Sequence, residues 1–405
     1  MIEVNERTYR TGGAPVVGIC LDGCDPAYLD AARAGMPNLR ALAENGSAGT
    51  VETVVPSFTN PNNVAIVTGV PAAGNGICGN YYFDAANGRE VPMDDPRFLT
   101  AGTILAAFAA AGRSVAAVTT KDKLRRMLGA GLDGVCFSVE KAADAAATDA
   151  RVTAVLDRIE TPPPDIYDPA ASLFCIEAGL QLLELFPLDL LYLSTTDYVQ
   201  HKYAPTEAGA LDFYAELDGL IGRFARSGAV VGITADHGMN AKVRSDGSPN
   251  VSYLESELQG AGIRAPRVIL PITDPYIVHH GALGSYATAY VEADQVGEAA
   301  AILAALPGIE TVLEREEAAA RFALPAARIG DLVVLADRDT VLGRTPDWHD
   351  LSTVASGLRS HGGLHEAVVP MLINEPLEPE YQQRLEAGAN HNWDLFDLLL
   401  NGVAD

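Results

Sequence analysis

The chain has 405 residues, 48% of them hydrophobic, and a formal net charge of −25 with only 28 lysines and arginines. That is enough apolar material for one large domain carrying an insertion, or for two domains. So acidic a surface argues against nucleic acid or an anionic membrane as a partner, and an anionic ligand must find its positive charge locally.

No apolar run is long enough to span a bilayer, and residues 1–10 are polar and mixed in charge, unlike a leader. The expectation is a cytoplasmic protein. The five cysteines, Cys20, Cys24, Cys78, Cys136 and Cys175, are odd in number and scattered. They read as reduced, small apolar residues rather than a disulfide framework.

Short β-branched runs alternate with Ala/Leu-rich helical stretches, the pattern of a parallel α/β sheet. The first predicted strand, 15–21, ends at Asp22-Gly23. A helix over 38–45 and a strand over 50–54 follow, and then Thr59-Asn60-Pro61-Asn62 leads into a helix over 63–68. A helix over 101–111 precedes a strand over 114–119, which ends just before Lys121 and Lys123. Beyond a strand over 134–138 and a helix over 170–185, a strand over 188–194 runs toward Asp197 and His201. A helix over 207–226 and a strand over 229–234 lead to Asp236-His237-Gly238. From about 243 to 342 the character changes. β-like runs at 267–270, 276–279, 287–291 and 332–335 accompany a Glu/Ala-rich helical part. This stretch is read as an inserted cap, leaving 1–242 and 343–405 as the core. The core resumes with His361-Gly362-Gly363 before a strand over 368–373.

In open sheets of this kind, ligands bind beyond the carboxyl ends of the strands. Asp22, Asp197 and Asp236 each follow an apolar run there, so they converge although they are far apart in sequence. Taken singly, each motif has a plain alternative. Asp22-Gly23 marks a turn, Thr59 caps a helix, and Asp197 and His201 are merely four apart on one helical face. Asp236-His237 says more, because adjacent ionisable residues at the end of an apolar strand are costly unless solvated or liganded. Together the carboxylates, imidazoles and hydroxyl form the donor inventory of a dinuclear metal site with a built-in nucleophile. Metal-assisted phosphoryl transfer is the leading reading.

His361, with glycines that let the backbone approach a ligand, is preferred over His365 as the last metal position. His279, His280, His349 and His391 read as surface or satisfied core residues. Asn80, in Gly76-Ile77-Cys78-Gly79-Asn80, is either a donor to a phosphoryl oxygen or a turn residue. Lys121 and Lys123 suggest an anchor for a carboxylate or phosphate.

The ordered set Asp22-Gly23, Thr59-Asn60-Pro61-Asn62 with Thr68-Gly69, Gly76 to Asn80, Asp197/His201, Asp236-His237-Gly238 and His361-Gly362 resembles the alkaline phosphatase superfamily. Within it, the set is most similar to the branch of nucleotide pyrophosphatases/phosphodiesterases and carbon–phosphorus bond hydrolases. The resemblance implies an alkaline-phosphatase-like α/β core, its mostly parallel central sheet flanked by helices, with a smaller α+β cap inserted over 243–342. It implies two zinc ions as cofactors. One is held by Asp197, His201 and His361, and the other by Asp22, Asp236 and His237 with Thr59 completing its shell. Thr59 is then the catalytic nucleophile, forming a phosphothreonine, while Asn80, Lys121 and Lys123 bind substrate.

The lysine pair, the Phe58-Thr59-Asn60 segment and the short cap direct the expectation to a small carboxylated phosphonate. The implied reaction is zinc-dependent hydrolysis of the carbon–phosphorus bond of phosphonoacetate to acetate and phosphate. Its partner is that small molecule, with no nucleic acid and no membrane, and a homodimer is left open. The alternative is a phosphodiesterase or nucleotide pyrophosphatase using the same metal residues, which needs an aromatic slot for a base. An alternative of another class is a non-catalytic metal-binding protein. A sulfatase lacks its Cys/Ser-x-Pro-x-Arg context around Thr59, and a cofactor-independent phosphoglycerate mutase would use Ser there.

Overall fold

The computed structural model describes residues 1–272, 282–354 and 357–404. Its central element is a seven-stranded sheet. In chain order the strands are β1 (Val16–Cys20), β2 (Ser47–Glu52), β3 (Val115–Thr119), β4 (Val135–Ser138), β5 (Leu190–Ser194), β6 (Val230–Thr234) and β7 (Val368–Ile373). Across the sheet the order is β2-β7-β6-β1-β5-β3-β4. The neighbours from β6 to β4 are all parallel, whereas β7 runs antiparallel to both β6 and β2.

This direction of β7 positions the site. Its first residue, Val368, pairs with Glu52 at the carboxyl end of β2, and Met371 pairs with Thr234 at the end of β6. The segment before β7 therefore arrives at the same end of the sheet as the segments that follow β1, β3, β5 and β6.

Strands β1, β3 and β5 are buried at every position, as strands covered on both faces must be, which is why they read as unbroken apolar runs. Around the sheet lie α1 (Thr59–Thr68), α2 (Asp122–Leu128), α3 (Ala170–Leu185), α4 (Tyr198–Lys202) and α5 (Ala208–Ala225). Helix α3 is apolar nearly all round and packs on β5 and β3. Helix α5 lies against α3 and β6, and the helical turns at Leu395–Gly402 pack on β6 and α1.

A second, four-stranded sheet has the order Arg267–Ile269, Tyr286–Tyr290, Leu332–Ala336 and Ile309–Glu314, all neighbours antiparallel. Its core is shared: Tyr286, Leu332 and Leu335 belong to the same apolar cluster as Val54, Phe58 and Val64. The sheet thus presses on the segment that carries Thr59.

Several boundaries differ from the sequence expectation, among them the second strand, found at Ser47–Glu52 and not 50–54, and two other differences have a clear physical reason. Helix α1 opens at Thr59 instead of 63, with extended Phe58 as its N-cap, because Pro61 is compatible with a first helical turn. Ile309–Glu314 is a strand although it lies in the Glu/Ala-rich part, and its pairing with Leu332–Ala336 overrides the local composition. The expected strand over 276–279, with His279 and His280, lies outside the described residues. Among the described residues no helix is long and apolar enough to cross a membrane, and all five cysteines are free.

Candidate metal centre and nucleophile

The strand ends deliver the acidic residues. Asp22 lies two residues past β1, Asp236 two past β6, and Asp197 follows β5 immediately before α4. Asp22, Asp236 and His237 are fully buried, and Asp197 and His361 nearly so. In α4 the His201 N–H donates to the Asp197 carbonyl at 3.0 Å, one helical turn, so both side chains meet, with Nε2 2.9 Å from Asp197 Oδ2.

Among the described residues, two donor groups can hold a metal ion. In one, atoms of Asp197, His201 and His361 lie within 4.8 Å of one another; in the other, atoms of Asp22, Asp197 and His237 do. Asp197 thus stands between the groups. Asp236 stands beside the second, its Oδ2 3.8 Å from His237 Nε2, and its carboxylate also accepts from Gly23 N, His237 N and Asn63 Nδ2. His365 is elsewhere, in a half-exposed pair with Glu310 at 2.8 Å, so His361 is the histidine of this loop that joins the cluster.

The three imidazoles are oriented alike. Nδ1 of His201, His237 and His361 lies 2.8, 2.9 and 2.8 Å from the carbonyls of Arg359, Gly238 and Ser57. A carbonyl can only accept, so Nδ1 carries the proton and Nε2 turns its lone pair inward, the arrangement of metal-ligating histidines. The rings of His237 and His361 stack with centroids 3.5 Å apart.

Electrostatics points the same way. Both carboxylate oxygens of Asp22 are buried without a hydrogen-bond partner. Burial and then the charge of Asp22 push the Asp236 carboxyl well above its ordinary value. His237 rises to about 9 against the opposing effect of burial, chiefly through Asp236 and then Asp22. Burial would also raise Asp197, but Lys121 and His201 hold it well below the usual carboxylate range. Burial, reinforced by His237 and His201, pushes His361 well below its ordinary value. Excess buried negative charge that draws protons is what a divalent cation neutralises, and a nitrogen/oxygen donor set of this kind suits zinc.

Thr59 Oγ1 lies 3.4 Å from His237 Nε2 at the start of α1, where helix N–H groups lack intrahelical partners. It opens on a cavity of about 200 Å³ that Asn80, Lys121, Lys123, Asp197, His201 and His361 also line. Lys121 Nζ reaches Asp197 Oδ1 at 3.2 Å and Asp22 Oδ2 at 3.7 Å. Asn80 Nδ2 donates to the Ile272 carbonyl at 2.9 Å. Tyr167 and Tyr198, edge-to-face with centroids 6.2 Å apart, form an aromatic part of the wall.

Sequence reasoning missed the supports. Asn63 donates to the Thr59 carbonyl and to Asp236, and accepts from the Tyr192 hydroxyl at 2.7 Å. Thr195 Oγ1 accepts from Asp22 N at 2.9 Å. Arg359 donates to the carbonyls of Gln200 and Met239, tying α4 to the loop that carries His237. Only the Asn62-Asn63 pair left a signal, two polar residues in a helix otherwise apolar from Val64 to Val67.

Residues 16–364 match the model of the family described as type I phosphodiesterase / nucleotide pyrophosphatase. The chain belongs to this family and is an enzyme of the hydrolase class. Within the family it is 45% identical to phosphonoacetate hydrolase from Sinorhizobium meliloti 1021, whose structures were solved in complex with phosphonoformate and with phosphonoacetate. That match covers 100% of this chain and 99% of the other, at a TM-score of 0.92. Human ectonucleotide pyrophosphatase / phosphodiesterase 5, at 18% identity, 96% coverage of each chain and a TM-score of 0.63, shares the fold.

Proposed function

We propose that this chain hydrolyses the carbon–phosphorus bond of phosphonoacetate, giving acetate and phosphate. The observation that carries the reading is the meeting of Lys121, Lys123 and Thr59 in one cavity beside the Asp/His cluster. It is supported by full-length 45% identity to a phosphonoacetate hydrolase.

Two zinc ions are the cofactors of this reading, held by Asp197, His201 and His361 and by Asp22, Asp236 and His237, with Thr59 beside the second set. When bound, they supply Lewis acidity and charge neutralisation for phosphoryl transfer. The chain's own residues do the rest. Thr59 Oγ1 attacks phosphorus from the start of α1, giving a phosphothreonine that water then hydrolyses. Lys121 and Lys123 hold the carboxylate and stabilise the charge that develops as the carbon leaving group departs as an acetate enolate. Asn80 steadies a phosphoryl oxygen with its remaining amide hydrogen.

We assign 243–342 as an inserted cap, which contributes Ile272 to the described lining of this cavity, with 1–242 and 343–405 as the core. The cytoplasm is the proposed compartment, in keeping with five free cysteines. The test is the release of acetate and phosphate from phosphonoacetate by purified, zinc-loaded protein, set against cleavage of a nitrophenyl phosphodiester. Diester cleavage much faster than acetate release would overturn the assignment. That result would favour a phosphodiesterase, the second reading, to which the Tyr167/Tyr198 wall offers an aromatic surface for a base.

A further inference from the structure

Lys242 and Glu366 are both wholly buried, and their charged groups meet at 2.9 Å. Stability alone does not explain such a pair. Taking two charges out of water costs roughly what their attraction returns, and a well-packed neutral replacement is often at least as stable.

What the pair joins is specific. Glu366 Oε2 accepts from Gly363 N at 3.0 Å, and Oε1 accepts from Asn240 Nδ2 at 2.6 Å as well as from Lys242. The backbone carbonyl of Glu366 accepts from Gly238 N at 2.8 Å. Lys242 Nζ also donates to the Arg338 carbonyl at 2.7 Å, and Arg338 Nε donates to Asn240 Oδ1 at 3.1 Å. One residue therefore grips the backbone immediately after His237 and, through Gly363, the loop that carries His361. Those two histidines belong to different donor groups, and their rings lie parallel to within 7°. The same loop steadies the approach to Thr59, since Ser57 Oγ donates to the Gly363 carbonyl at 2.8 Å.

We propose that the Glu366–Lys242 ion pair is the spacer that fixes the separation of the two metal-binding groups, acting through His237 and His361. Glu366 and Lys242 are positioning residues: neither belongs to a donor group, Glu366 holds the backbone beside each histidine, and Lys242 acts through the Glu366 carboxylate. A charge-assisted hub with several converging donors holds a geometry more tightly than single neutral hydrogen bonds. The proposal rests on the two-metal reading above.

The test counts zinc per chain in the purified full-length protein and follows zinc release to a competing chelator. It compares wild type with the near-isosteric, uncharged double variant Lys242→Met/Glu366→Gln and with Asn240→Ala, which loosens the hub without exposing a buried charge. Wild type is expected to hold two zinc ions. The double variant, stripped of zinc, is expected to unfold near the midpoint of zinc-free wild type, and when loaded to hold one of them about ten- to a hundredfold more weakly, as loss of an outer partner of a metal ligand does. Asn240→Ala should shift the same zinc in the same direction by less. Wild-type affinity for both ions in both variants would overturn the proposal, and so would a lowered midpoint with both affinities intact. If the double variant does not fold, Asn240→Ala decides alone. Fewer than two zinc ions in wild type would overturn the two-metal reading itself, and the spacer role with it.

Discussion

The Lys121 ammonium lies 3.2 Å from Asp197 Oδ1 and 3.7 Å from Asp22 Oδ2, so one side chain from the loop after β3 touches carboxylates that follow two other strands. Its charge is thereby raised in pKa above the ordinary lysine value, Asp197 and then Asp22 outweighing burial. The direction of that shift favours the cationic form of Lys121, as an anion anchor requires.

Replacing either lysine should therefore discriminate between substrates. Lys121→Ala and Lys123→Ala are expected to lower kcat/KM for phosphonoacetate by about ten- to a hundredfold, the worth of a charge-assisted hydrogen bond. A nitrophenyl phosphodiester, which lacks the carboxylate, should lose much less. Equal losses on both substrates would reduce the lysines to general electrostatics.

Thr59→Ala removes the proposed nucleophile but none of the carboxylates or imidazoles. Turnover should fall by about a thousandfold or more, with the zinc content of the purified protein unchanged. Thr59→Ser should recover a substantial part of the activity. A protein that only binds metal would have no turnover to lose.

Asn63 is a structural test of the same corner. In Asn63→Leu the buried Tyr192 hydroxyl loses its acceptor, and both Asp236 and the Thr59 carbonyl lose a donor. Urea unfolding should show a loss of about 1–3 kcal/mol. An unchanged midpoint would mean that water replaces the amide without cost.

Metal removal should act on stability as well as on rate. Without bound cations the three buried carboxylates of Asp22, Asp197 and Asp236 repel one another. Dialysis against a strong chelator is expected to lower the thermal midpoint and abolish hydrolysis, and added zinc should restore both. At a hundredfold excess over its dissociation constant, one bound ion contributes about 2.7 kcal/mol. Calorimetry that finds the same midpoint with and without zinc would contradict this.

Gly23 turns at φ +70°, and a Cβ there would lie 2.9 Å from Asp197 Cβ. Gly23→Ala should cost about 1–2 kcal/mol for the left-handed backbone alone. Because the intruding methyl presses on Asp197, zinc affinity should fall too, which equilibrium dialysis would measure.

The sheet was legible in the sequence because its strands are continuous apolar runs that stop at polar residues. The residues of the donor groups were legible for a related reason: an ionisable side chain at the end of a buried strand stands out against its neighbours. The supports were not. Asn63, Thr195, Arg359 and Glu366 act on residues far away in the chain, and apart from the polar Asn62-Asn63 pair in an apolar helix nothing in their local context distinguishes them from ordinary turn or helix positions. The start of α1 was misplaced because Pro61 looks like a barrier until it is seen to occupy the first turn. The shared location of Asp197 in both donor groups is likewise a property of three-dimensional packing that spacing cannot encode.

Strand β2 has a single neighbour in the central sheet, and that neighbour is β7, near the end of the chain. During synthesis, Ser47–Glu52 thus has no strand to pair with until residues 368–373 have emerged, long after β1 and β5 can associate. The strand that leads into α1, which carries Thr59, gains its pairing register from β7, directly after the loop that carries His361. The strand that leads to the nucleophile and the loop that carries the last imidazole thus meet at β7, and a chain lacking β7 would leave β2 without its only partner in the central sheet.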